Sequence, residues 1–372
     1  MGLSDTAAAP RQPTVGAGRR LRGALVGAGS IASYHMAAWR AIEDVEIVAI
    51  ADPIHSRAAA LAVESGIGDG HLYDGHLSLL EAEAEDLDFV DIATVPPLHR
   101  EQVEAAADCG VHVLCQKPFA FELADAEFMA RHCAERGVRC IVNENWRWRS
   151  WYRRVKELVD AGAVGTPHYA AFTCHRDMVL PQADGELPQL LTRQPYTREM
   201  SQLIILEWGI HLMDVLRFLL GPVDSVRAST RTISPLVRGE DVALVELAFA
   251  AGATGLIDIS WASRIRPERR LIRGNVDPFL LEGDAGSIEL DAQSGDVLYL
   301  NTGEGTAAEP AHPGLTPAEA YQRSFEACQR NFVRCLREGR HSENEADDNL
   351  QTLALALATY EAAAGGRAVA LQ

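Results

Sequence analysis

The sequence predicts an α/β protein in two parts: a parallel sheet covered by helices on both faces, then a domain built on an antiparallel sheet. Three observations carry this. From Leu21 to about Asn143, short apolar runs alternate with amphipathic stretches, which is the pattern of strand–helix repeats. From about Ser150 onward, strand-like runs follow one another with only turn residues between them, which is hairpin spacing. The chain has 372 residues, 47% of them hydrophobic, enough for two domains with substantial cores.

The first repeat is the most informative. Ala24-Leu25-Val26 is a short apolar run suited to a buried strand, and Gly27, Gly29 and Ala32 then fit G-x-G-x-x-(G/A). The first glycine permits a tight turn, the second lets the backbone approach a pyrophosphate, and the third small residue lets helix and strand pack closely. The helix that follows, about Ile31 to Ala41, aims its N-terminus at the phosphates. A second apolar run, Val45–Ala51, ends at Asp52, 23 residues beyond Gly29, where an acidic residue for the ribose hydroxyls is expected. A carboxylate there repels a 2′-phosphate, so NAD is favoured over NADP. Arg57, close in sequence, keeps NADP open, and a plain turn or cap before Pro53 is the other reading of Asp52. Strands are further expected at Leu87–Ala93, Val111–Cys115 and Val138–Val142, with helices at Leu98–Cys109 and Phe121–Arg136. Ligands of such sheets sit beyond the carboxyl ends of the strands. Asp52, Thr94, Lys117 and Asn143–Asn145 fall at such ends.

In the second part, Trp151–Ala161 reads as a helix and 167–174 as a strand. Residues 179–202 read as a long loop of the kind that shapes a site. A helix stopped by Gly221-Pro222 comes next, then runs at Val226–Ile233, Val242–Phe249, Thr254–Ala262, Arg270–Arg273, Phe279–Gly283, Ser287–Leu290 and Val297–Asn301. Two helices, Pro317–Glu338 and Asp347–Ala364, close the chain. The domain limits are set at 20–149 and 150–372, after a disordered tail at 1–19, with the option that the last helix packs back on the first domain.

Composition excludes several classes. Lys+Arg is 34 and Asp+Glu 52, a net charge of −18, which opposes nucleic acid and anionic membranes. No apolar run reaches the roughly 18 residues of a membrane span. Arg19-Arg20 invites an export-signal reading, but Arg22 and the glycines at 23, 27 and 29 break the apolar stretch that would need. Seven cysteines, odd in number and without paired spacing, read as reduced thiols in a cytoplasmic protein.

One stretch, LIILEWGIHLMD at 203–214, sets Glu207, His211 and Asp214 among aliphatic residues. On an α-helix, Glu207 and His211 share a face. Metal ligands, a satisfied buried network and catalytic groups all fit. Zinc would need further ligands, and no nearby Cys or His has suitable spacing, so no metal is expected. Asp214 is read as structural. His211 is the general-base candidate, because imidazole ordinarily titrates near neutrality.

The ensemble resembles the glucose–fructose oxidoreductase / inositol dehydrogenase (Gfo/Idh/MocA) family. Its marks are VGAGSIA, ADP at 51–53, ATVPPLH at 93–99, HVLCQKPFA at 112–120 and GIHLMD at 209–214, in the family's order. NENWRWRSWY at 143–152, with Gln194-Pro195-Tyr196 and the Glu207…His211 pair, is similar to a subgroup that includes D-apiose dehydrogenases and other sugar dehydrogenases. The resemblance implies an N-terminal Rossmann dinucleotide-binding domain and a C-terminal α/β domain with an open, mostly antiparallel sheet. It implies a dehydrogenase that moves a hydride between NAD and a hydroxyl of a sugar or cyclitol. Lys117 falls on the lysine of the family's E-K-P motif, and Glu207 and His211 on its D-x-x-x-H motif. These three form the expected catalytic set: His211 removes the hydroxyl proton, Lys117 holds the same oxygen, and Glu207 orients His211 or binds a neighbouring hydroxyl. Two departures matter, Gln116 for the usual glutamate and Glu207 for the usual aspartate. Cofactor contacts are expected from Gly27, Gly29, Ser30, Ile31 and Asp52, and from Thr94, Pro96, His99, Gln116, Lys117 and Asn145. Sugar contacts are expected from Lys117, Asn145, Trp148, Arg176, Glu207 and His211, with His175 and Tyr196 as further candidates. The rivals are NAD-assisted redox-neutral glycoside cleavage, a non-catalytic NAD-binding regulator, and an imine, biliverdin-like or dihydrodiol reductase. A homo-oligomer, dimer or tetramer, is expected.

Overall fold

The computed structural model describes residues 18–264, 278–291 and 295–371. Most of the expected tail and the expected strand at Arg270–Arg273 lie outside the described residues. The chain divides into two compact units, Met1–Asn143 with Cys328–Asp348, and Glu144–Ala327 with Asn349–Gln372.

The first unit alternates β1 (Leu21–Val26), α1 (Ala32–Arg40), β2 (Val45–Ala51), α2 (His55–Ser65), β3 (Leu72–Tyr73), α3 (His76–Glu83), β4 (Phe89–Ile92), α4 (His99–Asp108), β5 (His112–Gln116), α5 (Leu123–Glu135) and β6 (Cys140–Asn143). Its six strands pair in parallel in the order β3-β2-β1-β4-β5-β6. The order reverses between β1 and β4, the point where such sheets bind dinucleotides. β4, β5 and β6 are buried at every position, as strands covered on both faces must be. The core is anchored by Trp39, Phe89 and Phe332, with ring centroids 4.8 Å apart for Trp39–Phe89 and 5.3 Å for Phe89–Phe332.

The second unit contains α6 (Ser150–Asp160), β7 (Pro167–His175), the short α7 (Gln189–Arg193) inside the expected loop, a π-helical turn Ile205–Gly209, and α8 (Ile210–Leu220). It continues with β8 (Val223–Arg231), β9 (Val242–Phe249), β10 (Thr254–Ser260), β11 (Phe279–Gly283), β12 (Gly286–Leu290), β13 (Val297–Thr302) and β14 (Gly305–Pro310). Then follow α9 (Pro317–Glu338), α10 (Ala346–Gly365) and β15 (Val369–Ala370). Its sheet runs β14-β13-β12-β11-β7-β10-β9-β8-β15, antiparallel except for the β7–β10 pair. This is the open, mostly antiparallel sheet expected. β9 alternates buried and solvent-facing residues, so one face of the sheet is apolar and packed.

Two domain limits differ from the sequence reading. The division falls at Asn143/Glu144, because Glu144 already bonds within the second unit. The segment that joins the first unit is the C-terminal half of α9 with the turn after it and the first three residues of α10. Phe332, Val333, Cys335 and Leu336 enter the first core, and Glu345 forms a buried ion pair with Arg139 at 2.9 Å. From Asn349 the last helix belongs to the second unit, where Thr352 bonds Asp214 and Tyr360 bonds Glu240.

Candidate active site

The β1–α1 turn forms a dinucleotide cradle. Gly27 has φ +96°, and a Cβ there would meet Thr94 Cγ2 at 2.8 Å, so both backbone and packing demand glycine. Gly29 faces open space, with no atom within 4 Å of the point a Cβ would occupy. A side chain at Gly29 would fill that space, which a pyrophosphate needs. Ser30 is exposed and Ile31 half-buried at the start of α1. Asp52, 6% exposed, accepts from the Ala28 N–H at 2.7 Å and the Ile54 N–H at 2.8 Å. It therefore fixes the turn, and each oxygen keeps a lone pair for a ribose hydroxyl. These residues fit NAD.

Beyond β4, the Thr94 hydroxyl is half-buried and donates to Gln102 at 2.6 Å, and Pro96 is buried. His99 is a correction. The motif places it at the cofactor, but it is fully buried between two carbonyls, with Nδ1 3.1 Å from Phe119 O and Nε2 3.2 Å from Thr94 O. Burial holds its imidazole below the usual range. His99 ties the loop after β4 to the loop after β5 and so shapes the cradle from behind. At the end of β5, Lys117 is half-buried and its peptide bond to Pro118 is cis. The Lys117 N–H donates to Gln116 Oε1 at 2.5 Å.

In the second unit, Glu207 lies on the π-turn and His211 on the first turn of α8. The regular α-helix expected through both is therefore replaced by a wider turn, of a kind that often marks functional sites. Glu240 anchors that stretch: its carboxylate accepts the Leu203 N–H at 3.0 Å and the Ile205 N–H at 3.2 Å, and the Tyr360 hydroxyl at 2.7 Å. Glu207 is half-buried and accepts a hydrogen bond from the Tyr196 hydroxyl at 3.4 Å. Burial of that phenol end, and then the Glu207 charge, raise Tyr196 well above the usual tyrosine range.

The sequence reading missed the carboxylate that holds His211 at Nδ1. It is Glu144, fully buried, whose Oε1 accepts from His211 Nδ1. Its signal was available: Glu144 stands directly after β6, in a run whose neighbours are amides and tryptophans. The His211 ring also stacks on Trp146, with centroids 4.6 Å apart and planes 3° from parallel. The Arg149 guanidinium, fully buried, lies 3.5 Å from the same indole. Glu144 can only accept, so Nδ1 carries a proton and, in the neutral ring, the acceptor nitrogen is Nε2.

Asp214 sits in a buried ion-pair and hydrogen-bond network. It is fully buried, bound to Arg147 through both guanidinium Nε, at 2.7 Å, and Nη2, and it accepts the Thr352 hydroxyl at 3.1 Å. Four other placements correct or redirect expectations. Asn145 is 3% exposed and its amide donates to Ser324 at 2.7 Å. Trp148, 9% exposed, packs under the Arg153 guanidinium at 4.6 Å rather than offering a face to a sugar. Arg176 lies 4.3 Å over Trp208, and His175 meets Asp258 at 2.9 Å. A cavity of about 510 Å³ at the amino ends of β1 and β2, lined by Arg20, Arg22 and Arg40 among others, contains none of the expected site residues.

Sheet order, glycine turn and the acidic end of β2 define an NAD-binding Rossmann unit. Residues 21–144 match the family model described as "Oxidoreductase family, NAD-binding Rossmann fold", and residues 152–289 match the Gfo/Idh/MocA C-terminal domain. The chain belongs to the Gfo/Idh/MocA oxidoreductase family. It is 37% identical to a D-apiose dehydrogenase of Paraburkholderia graminis over 95% of this chain and 90% of the relative. It is 34% identical to a D-apiose dehydrogenase of Rhizobium rhizogenes over 94% of this chain and 97% of the relative. Among solved structures, an oxidoreductase from Agrobacterium radiobacter in complex with NAD+, L-tartaric acid and magnesium superposes with a TM-score of 0.86 at 33% identity, over 94% of this chain and 98% of that one.

Proposed function

We propose that this protein oxidises a hydroxyl of a small aldose, with D-apiose the first candidate, and passes the hydride to NAD. The observation that carries the reading is the buried Glu144–His211 pair. A carboxylate at Nδ1 fixes the tautomer and stabilises the imidazolium that forms when Nε2 takes the hydroxyl proton. Glu207, half-buried and met by Tyr196, is the acceptor for a neighbouring sugar hydroxyl. Its extra methylene, relative to the family's aspartate, extends that grip. Lys117 keeps the role the resemblance assigns, an ammonium donor to the hydroxyl oxygen as it gains charge. NAD, when bound, supplies the hydride acceptor. Two D-apiose dehydrogenases at 37% and 34% identity support apiose as the first sugar to try.

The test follows NADH formation across a panel of aldoses, apiose and inositols, for wild type, Lys117→Ala and His211→Asn. Each variant is expected to lose roughly 10²–10⁴-fold in kcat/KM. Full activity in either removes that residue's role, and turnover of glycosides without NADH removes the dehydrogenase reading. The same assays with NADP are expected to give a higher KM, because Asp52 disfavours a 2′-phosphate. The solvent-facing side of the second sheet also supports assembly of this chain with copies of itself, a dimer or tetramer that light scattering in solution would register.

A further inference from the structure

At the carboxyl ends of β4, β5 and β6 the first unit encloses a set of polar side chains. His35, Asp91 and Asn143 are fully buried, and Gln116 is 6% exposed. His35 stands on α1, one turn into the helix that follows the glycine motif. Its Nδ1 lies 2.8 Å from Asp91 Oδ2 and 3.0 Å from Oδ1. The Trp39 indole N–H donates to the same carboxylate at 2.6 Å. A carboxylate can only accept, so Nδ1 of His35 carries a proton.

Gln116 fixes the other nitrogen. Its Oε1 lies 2.5 Å from the Lys117 backbone N and its Nε2 lies 3.0 Å from His35 Nε2. A backbone N–H can only donate. The amide oxygen therefore faces Lys117, and the amide NH₂ faces the ring. Nε2 of His35 is the acceptor. The Asn143 side-chain amide lies 3.0 Å from the same nitrogen, beside the Gln116 N–H that fills its one lone pair.

We propose that His35 is a positioning residue for Lys117: Asp91 sets its tautomer, its Nε2 sets the Gln116 amide, and that amide holds the Lys117 backbone N–H. The proposal rests on the role given to Lys117 above. It also accounts for Gln116 where the family usually has glutamate. A glutamate has no N–H to give to Nε2. A carboxylate there, already accepting from Lys117, would require Nε2 to donate and the ring to carry a second proton. Gln116 donates to a ring that Asp91 has already oriented, so in this chain Asp91, His35, Gln116 and Lys117 are linked with one proton on His35.

The experiment is a double-mutant cycle with a spectroscopic arm. His35→Asn keeps a donor near Nδ1 for Asp91 but lacks Nε2, and is expected to lower kcat about tenfold or more, with KM for NAD within about threefold. His35→Gln reaches the Nε2 position and is expected to recover most of that loss. In a Lys117→Ala background, His35→Asn is expected to cost less than about twofold, because residues acting as one unit are not additive. An undiminished loss in that background overturns the positioning role while leaving the Lys117 reading intact. Full activity of Lys117→Ala alone overturns both. Gln116→Glu, isosteric and independent of any folding defect at His35, is read by ¹⁵N NMR of histidine-labelled protein. The His35 ring is expected to change from one protonated nitrogen to two, and an unchanged ring overturns the proposal.

Discussion

Glu144 and Asp214 are both fully buried carboxylates of the second unit, and their partners separate their roles. Asp214 is matched by a guanidinium and a hydroxyl, which leaves it nothing to exchange during a reaction. Glu144 is matched by an imidazole, whose charge can change. Glu144→Gln can still accept the Nδ1 proton through its amide oxygen but cannot stabilise an imidazolium. It is expected to lower kcat roughly 10²-fold or more, with KM for the sugar nearly unchanged, in NADH-formation assays. Asp214→Asn is expected to do the reverse. Breaking a buried pair costs about 3–5 kcal/mol, so urea unfolding shifts while kcat of the folded enzyme holds. Wild-type kcat in Glu144→Gln would dissolve the dyad. At this scale the sequence carried only part of the site. Glu207, His211 and Lys117 stand in local motifs, whereas the Glu144–His211 pair joins residues 67 apart. No spacing rule reaches that far, and Trp148, expected at the sugar, is enclosed at 9% exposed.

Most elements were legible because buried parallel strands must be apolar runs and exposed hairpins must alternate. The π-turn was not, because its extra residue per turn leaves the apolar pattern intact and its anchor, Glu240, lies outside the stretch. β5 carries an element-scale consequence. His112, at its first residue, accepts the Arg139 backbone N–H at Nδ1, 3.0 Å away, where β6 begins. Burial, and then the Arg139 charge, push its pKa down from 6.5 to about 4. A folded pKa below the unfolded one means that the unfolded chain binds the proton first. The stability from this contact is complete above pH 6.5 and is lost as pH falls from 6.5 towards about 4. The loss attributable to His112 amounts to about 2 kcal/mol by pH 5 and about 3 kcal/mol by pH 4. His112→Asn, which offers an oxygen acceptor that does not titrate, is expected to flatten the stability–pH slope by that amount in urea unfolding at pH 7.5 and pH 5. Parallel slopes for the two proteins would show that His112 does not set this dependence.

Across the whole molecule, chain order and unit membership disagree. A sequence that alternates strand and helix up to Asn143 reads as a finished domain, and a boundary near 149 follows from the change of pattern. Yet the first core also contains Phe332 and Leu336, and the buried Arg139 is neutralised by Glu345. Nothing local to residues 328–348 announces this, because an amphipathic helix offers the same apolar stripe whichever core receives it. The consequence is testable by truncation. A fragment of residues 18–149 keeps every strand of the parallel sheet, β3-β2-β1-β4-β5-β6, and the whole glycine turn. It loses Phe332, whose removal from a core costs about 3–5 kcal/mol. It also leaves Arg139 buried or forces it into water, about 3–5 kcal/mol more for a broken buried pair. Those two losses approach the whole stability of an ordinary domain, about 5–15 kcal/mol. The fragment is therefore expected to lack a cooperative thermal transition and to bind NAD at least tenfold more weakly than the full chain, by circular dichroism and calorimetry. Adding residues 328–348 through a flexible linker is expected to restore the transition, since that segment supplies both Phe332 and Glu345. A fragment of 18–149 that melts cooperatively near the full chain's temperature would mean that the returning segment decorates the first core rather than completing it.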